Sequence, residues 1–226
     1  MEVAASTHTK NHRARRDSGD ESGSAFEDVR HNLDRLTDEL WDRMYPGEIR
    51  ELSAMHWTPI AMVRAVIDEL QPQPHDHLLD LGSGVGKFCL AASFLCDAAI
   101  TGVEQRGKFH RTALWVAKHL QPPRPVEFLC QDAFDLDWQR FSMIYLYNPF
   151  QEHQQNRGAP AIDHTIPLSD QVYDEIMARM QLRLAGLKPG TRIACLHGWG
   201  GSFPASYKLL EPKTRQPAIE VWQQCG

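Results

Sequence analysis

One stretch constrains this chain more than any other: His77 to Ser93, which reads HLLDLGSGVGKFCLAAS. Leu78 and Leu79 form a short apolar run ending on Asp80; a turn with Gly82, Gly84 and Gly86 follows, and a small-residue helical pattern begins at Phe88. A strand that feeds a helix through such a turn leaves helical N–H groups unpaired and aimed at a ligand, and glycines let that ligand approach the backbone. The stretch reads as a nucleotide-type site.

The spacing of the glycines decides which nucleotide. Pyrophosphate binding in a dinucleotide fold uses G-x-G-x-x-G, and its third glycine would fall here at Lys87. The pattern is instead D-x-G-x-G-x-G, with Asp80 placed before Gly82. It resembles motif I of the class I S-adenosylmethionine-dependent methyltransferases. That resemblance implies an α/β, three-layer Rossmann-like fold whose seven-strand sheet is mostly parallel with an antiparallel last strand. It also implies S-adenosyl-L-methionine as cofactor, a nucleoside without phosphate. Asp80 would reach the cofactor's ammonium group directly or through water, Gly82 and Gly84 would pack under it, and Ser83 and Gly86 would complete the binding turn.

The composition is that of a globular protein: 226 residues, 42% hydrophobic and 23% charged, enough for one domain with an extension. A net charge of −5 makes the body no obvious binder of polyanions. No apolar run approaches the roughly 20 residues of a membrane helix, and no secretory signal opens the chain. The expectation is a soluble, cytoplasmic protein with no membrane partner. The five cysteines are scattered without a C-x-x-C pair, which argues against a disulfide framework or a zinc site, and four of them lie in apolar runs that suit buried thiols. None of the eleven histidines joins other ligands at metal spacing, so no metal is expected.

Three segments follow from the chain order: a disordered tail over residues 1–24, a helical extension over 25–57, and a cofactor-binding domain over 58–226. The tail lacks large apolar side chains and cannot offset its ordering entropy. Its basic run Lys10 to Arg16 could touch nucleic acid, but Asp17, Asp20 and Glu21 follow at once, and a solvated tail is the simpler reading. Phe26, Val29, Leu33, Leu36, Leu40 and Met44 recur at helical steps and predict one helix ending at Tyr45-Pro46-Gly47, with a second helix after it. Thr58-Pro59 predicts a third helix, Thr58 as its N-cap. In related methyltransferases with this T-P pair the helix start lies over the cofactor's carboxylate, which makes His56, Trp57 and Thr58 site candidates.

Past the glycine turn, helical and strand patterns alternate. A strand from Ala98 ends at Glu104, an acid placed to accept from both ribose hydroxyls, with Gln105 beside it. A third strand, Val126 to Cys130, leads to Asp132 and Ala133. In the family these positions meet the adenine amine and a ring nitrogen. The fourth strand, Phe141 to Tyr147, delivers Asn148-Pro149-Phe150, a partial match to the [DN]-P-P-[YF] motif of amino-directed methyltransferases. YLYNPF and D-L-G-S-G-x-G-K also resemble bacterial proteins loosely related to Dot1-type lysine methyltransferases. The resemblance implies that Asn148 and the Pro149 carbonyl accept from a target amine, with Tyr145, Tyr147 or Phe150 as an aromatic wall. Gln151 to Thr165 is expected as a loop over the site, and His197 to Gly201 as a second loop lining it. Two short strands, Tyr207–Leu210 and Ala218–Trp222, close the chain as an antiparallel hairpin.

The expected activity is methyl transfer to an amine-type acceptor, whether protein, nucleic acid or metabolite. Two other readings stand beside it: a non-catalytic protein that binds or senses the cofactor, and a nicotinamide oxidoreductase, against which Lys87 argues.

Overall fold

The computed structural model describes residues 20–154, 156, 158 and 161–226. Its helices are α1 (Asp20–His31), α2 (Asp38–Asp42), α3 (Gly47–His56), α4 (Ile60–Leu70), α5 (Lys87–Ala92), α6 (Gly107–Leu120) and α7 (Asp170–Ala185). Its strands are β1 (His77–Leu81), β2 (Ala99–Val103), β3 (Val126–Leu129), β4 (Met143–Tyr147), β5 (Arg192–Leu196), β6 (Tyr207–Leu209) and β7 (Ile219–Gln224).

The strands form one sheet in the order β3-β2-β1-β4-β5-β7-β6, parallel from β3 to β5, with β7 antiparallel to both of its neighbours. This is the expected mixed sheet. The chain leaves β1 in one direction to build β2 and β3, then returns to place β4 on the other side of β1. The crevice at that reversal, outside the carboxyl ends of β1 and β4, is where open α/β sheets bind ligands. Both faces of the sheet are covered, which is why its central strands read as nearly continuous apolar runs.

The two faces are covered unequally. Leu78, Ile100, Phe128, Met143 and Tyr145 point into a large core under α4, α5 and α6, and residues of α1 to α3 pack into the same core. Leu79, Leu81, Val103, Ile144 and Ile193 point the other way, beneath Met180 and Leu184 of α7. No helix fills the crossover from β3 to β4: two 3-10 turns, Ala133–Asp135 and Trp138–Arg140, stand in its place. Beyond β5 a loop carries Trp199 and Phe203, the latter stacked on Trp222 with centroids 4.7 Å apart.

Local chemistry corrects several expectations. Helix α1 takes in residues 20–24, which the sequence had assigned to the disordered tail; residues 1–19, with the basic run, lie outside the described residues. Burial of Phe26 and Val29, with Phe26 edge-on to Trp115 at 5.4 Å, fixes α1 against α6. The single helix predicted from Phe26 to Met44 is broken: a 3-10 turn occupies Leu33–Arg35, and the Thr37 hydroxyl accepts from Leu40 N at 3.3 Å to start α2 afresh. A cap inside a periodic run overrides the run.

Thr58 is not an N-cap. Pro59 holds that position without a side-chain bond, and the Thr58 hydroxyl pairs instead with the Tyr145 hydroxyl at 2.8 Å. The free N–H at the start of α4, on Ile60, is taken by Asp38 Oδ1 of α2 at 2.9 Å. Of the cysteines only Cys89 and Cys195 are buried; Cys130 and Cys225 are exposed at strand ends, where an apolar run does not guarantee cover.

The turn after β1 depends on Gly86, whose φ of +78° is left-handed and whose Cβ, if added, would lie 2.6 Å from the Phe128 ring. Gly86→Ala is expected to lose about 1–3 kcal/mol from strain and overpacking together. A urea titration checks it: the midpoint should fall at unchanged slope.

Candidate active site at the carboxyl rim of the sheet

The glycine turn spends most of its amides on the protein itself. Gly82 N and Ser83 N both donate to Val103 O at the end of β2, at 3.0 and 2.9 Å, and Gly86 N donates to Ser83 O at 2.8 Å. Gly84 N donates to Glu104 Oε2 at 3.0 Å. The expectation of a turn whose N–H groups point at a ligand is therefore corrected in part, because three of these amides fold the turn back onto the end of β2 and the fourth closes the turn on itself. A turn arranged this way offers little to a pyrophosphate and suits a ligand without one.

Three carboxylates stand along the rim. Asp80, in β1, is buried, and its Oδ2 accepts from the Cys89 thiol of α5 at 3.2 Å. Burial, with a smaller contribution from the charge of Glu104, raises its pKa from 3.8 to about 7. Glu104 follows β2 and accepts Gly84 N on one oxygen and Arg106 N on the other, at 3.0 and 2.7 Å. Burial also pushes Glu104 above the usual carboxylate value, and the Arg106 amide and guanidinium oppose that shift. Asp132, after β3, is half-exposed: one oxygen accepts from Phe134 N at 2.9 Å and the other faces Arg179 at 3.3 Å.

A cavity of about 290 Å³ lies at this rim. Gly82 forms its floor, with Glu104 and Gln105 beyond β2, Asp132 and Ala133 beyond β3, and Tyr147, Asn148, Pro149 and Phe150 beyond β4. A smaller cavity of about 30 Å³ adjoins it, sharing His56, Leu81, Gly82 and Tyr147, and reaches Trp57, Thr58, Asp80 and Ser83. The structure thus brings Thr58, Asp80, Gly82, Ser83, Glu104, Gln105, Asp132, Ala133, Asn148, Pro149 and Phe150 to one connected crevice. Gly84 and Gly86 line neither cavity. An added Cβ at Gly84 would meet the Trp57 ring at 2.5 Å, and one at Gly86 the Phe128 ring, so these glycines admit neighbouring side chains rather than a ligand.

The aromatic candidates separate. Tyr145 is fully buried in the core, stacked on Phe88 at 3.9 Å, and also lines the smaller cavity. Phe150 stacks on Phe134 at 5.9 Å, toward the β3 side of the larger cavity. Tyr147 lines both cavities and sits where they join. Asn148 has φ +40°, and His197, at the end of the neighbouring strand β5, has φ +61°. Among the described residues the other non-glycine positions with positive φ, Gln71 and Gln121, are ordinary helix C-caps. The loop His197–Gly201 lines neither cavity; Trp199 is buried in the second core, and only His197 approaches the site, with its ring 6.2 Å from that of Tyr147.

Sequence reasoning missed a cluster that closes the larger cavity. Arg106, buried, is bound to both oxygens of Glu152 at 2.7 and 2.6 Å and to Asp163 at 3.0 Å. Glu152 also accepts from Ile162 N, and Ile162 lines the cavity. The polar segment after β4 is therefore strapped to the loop that carries Glu104, as a cover over the site. Met55 and His56, at the end of α3, line the cavity from the other side; burial holds His56 below the ordinary histidine pKa. Among the described residues no group of His, Cys, Asp and Glu side chains is arranged to hold a metal, and no helix is long and apolar enough to cross a membrane.

No protein-family model matches this chain, and no curated protein matches it. Solved structures do resemble it. TrmN from Thermus thermophilus has 17% identity and a TM-score of 0.53, over 77% of this chain and 51% of that one. NSun6 from Pyrococcus horikoshii, solved with SFG, has 12% identity and a TM-score of 0.51, over 73% of this chain and 52% of that one. The structure of yhhF from Escherichia coli has 17% identity and a TM-score of 0.50, over 73% of this chain and 87% of that one. The chain thus spans about half the length of the first two. At such identities the likeness is one of fold, and the fold is the Rossmann-like methyltransferase architecture.

The state of Asp80 gives a measurable signature. Its folded pKa, about 7, lies above the ordinary 3.8, so the folded protein holds this proton more tightly than the unfolded chain does. The stabilising effect is full below pH ~4 and is lost as pH rises through ~7, a swing of at most a few kcal/mol. Unfolding free energies of the wild type and Asp80→Asn, compared from pH 4 to 8, should show the wild type losing stability relative to the variant as pH increases.

Proposed function

We propose that this chain is an S-adenosylmethionine-dependent methyltransferase acting on an amine-type acceptor. The observation that carries the reading is the convergence of Asp80, Glu104 and Asp132 with Asn148-Pro149-Phe150 on one connected crevice at the reversal point of the sheet. The solution of NSun6 with SFG, an analogue of that cofactor, lends the reading support.

The residues fit the group. When bound, the cofactor supplies a methyl on a sulfonium, activated for in-line displacement. Asp80, buried in the smaller cavity, would hold the ammonium end, since a desolvated carboxyl near its titration point gains from a cationic neighbour. Glu104 accepts one backbone N–H on each oxygen, and a carboxylate oxygen has capacity for a second, which suits a pair of vicinal hydroxyls. Asp132 and Ala133 would meet the purine edge, with Phe150 and Ile162 as its apolar walls. The turn whose amides are spent on Val103 and Glu104 leaves a nicotinamide dinucleotide without its phosphate cradle.

Asn148 and the Pro149 carbonyl would accept the hydrogens of the acceptor amine and leave its lone pair free along the attacking direction. Tyr147 would wall that approach. Methyl transfer needs alignment more than a nucleophile of the protein's own, so the chain's contribution is to bind, orient and exclude water.

Calorimetric titration with S-adenosylhomocysteine tests the cofactor half: binding is expected, and absence of heat at high protein concentration sinks it. For the transfer half, label from methyl-tritiated cofactor should appear in a fraction of cell extract, where a non-catalytic binder leaves every fraction unlabelled. Asn148→Ala should lower the rate of that labelling by about 10- to 100-fold with cofactor affinity within about twofold of wild type.

A further inference from the structure

Lys87 stands where a dinucleotide fold has its third glycine; the residue borders the smaller cavity, and its ammonium is bonded to side chains of the extension. Its ammonium is buried, with the residue 2% exposed, and is surrounded by the extension that precedes the cofactor-binding domain. It lies 2.6 Å from Asp38 and 2.8 Å from Asp42, both of α2, and 3.0 Å from the hydroxyl of Ser53 in α3. Its three N–H donors thus meet three acceptors. Asp38 also takes the N–H of Ile60, so the same carboxylate joins the start of α4 to the cluster.

These elements form one wall of the crevice. Met55 and His56 close the larger cavity, Trp57 and Thr58 the smaller. The Trp57 ring is seated against the Cα of Gly84, and its indole nitrogen donates to Ile49 O at 3.4 Å, which ties the end of α3 to its beginning. An ammonium taken out of water costs several kcal/mol, and apolar residues of similar size commonly fill such a space at no loss of stability. A charge retained there serves register: three acceptors at fixed places define one seat for α2 and α3, where an apolar contact would tolerate sliding.

We infer that Lys87 is a positioning residue, whose buried ammonium holds α2, α3 and the start of α4 in the single register that completes the cofactor crevice. The inference rests on the proposed cofactor site for its functional half alone. The test is the double substitution Lys87→Met/Asp42→Leu, which removes the pair without stranding a buried charge. Amide hydrogen exchange should quicken at least about tenfold over Gly47–Trp57 while β1, β4 and β5 keep wild-type protection. The dissociation constant for S-adenosylhomocysteine should rise about tenfold or more, at an unfolding midpoint near that of wild type.

Wild-type exchange and wild-type affinity in the folded double variant overturn the inference; a merely structural role predicts loss of protection throughout the sheet and also overturns it. Should the double variant fail to fold, Asp42→Asn must show the same local quickening, and unchanged exchange there counts against the idea. If the wild type itself binds no S-adenosylhomocysteine, the proposed function falls, while the exchange result still decides whether Lys87 sets the register.

Discussion

A carboxylate that faces inward organises this molecule. Glu104 grips Gly84 N with one oxygen and Arg106 N with the other, and so joins the turn after β1 to the loop after β2. Val103, one residue earlier, takes two more amides of the same turn through its carbonyl. The rim of the sheet is therefore built by mutual bonding of two loops, before any ligand is considered. The cavity floor, the position of Asp80 and the entry into α5 all inherit their geometry from that junction. A carboxylate with burial against it is costly to ionise, and the backbone N–H groups that surround Glu104 offset part of that cost.

Two covers are then laid over the rim, each fastened by a buried cation. Arg106 holds the segment after β4 through Glu152 and Asp163, and Lys87 holds the preceding extension through Asp38, Asp42 and Ser53. Arg106 lies in the loop after β2, and Lys87 opens α5 directly after the glycine turn. The loops and helix starts at the sheet's rim thus carry the fasteners, and the covers carry the matching acids.

Much of the fold was legible because it rests on local pattern. Leu78-Leu79, Ile100 to Val103 and Met143 to Leu146 announce buried strands, and D-x-G-x-G-x-G announces the turn between β1 and α5. Asp80, Glu104 and Asp132 could be located because each ends or follows a strand. What the sequence concealed are bonds made across long separations: Arg106 to Glu152 spans 46 residues, and Ile60 to Asp38 spans 22. A periodic run also concealed the break at Thr37, since Leu33, Leu36 and Leu40 keep helical spacing whether or not the backbone does. Gly84 and Gly86 carry the right signal for another reason than the one expected: they admit Trp57 and Phe128.

The face of the sheet beneath α7 has its own character. Where a crossover helix would lie beyond β5 there are rings: Trp199 edge-on to Phe203, Phe203 stacked on Trp222 and tilted against Tyr207. Flat, stiff side chains fill such a region with little loss of rotational freedom. They also leave it without slack. A helix can shift bodily to heal a void, whereas a plug of interlocked rings drawn from a loop and two paired strands has nothing to slump inward, so a hole made there would stay open.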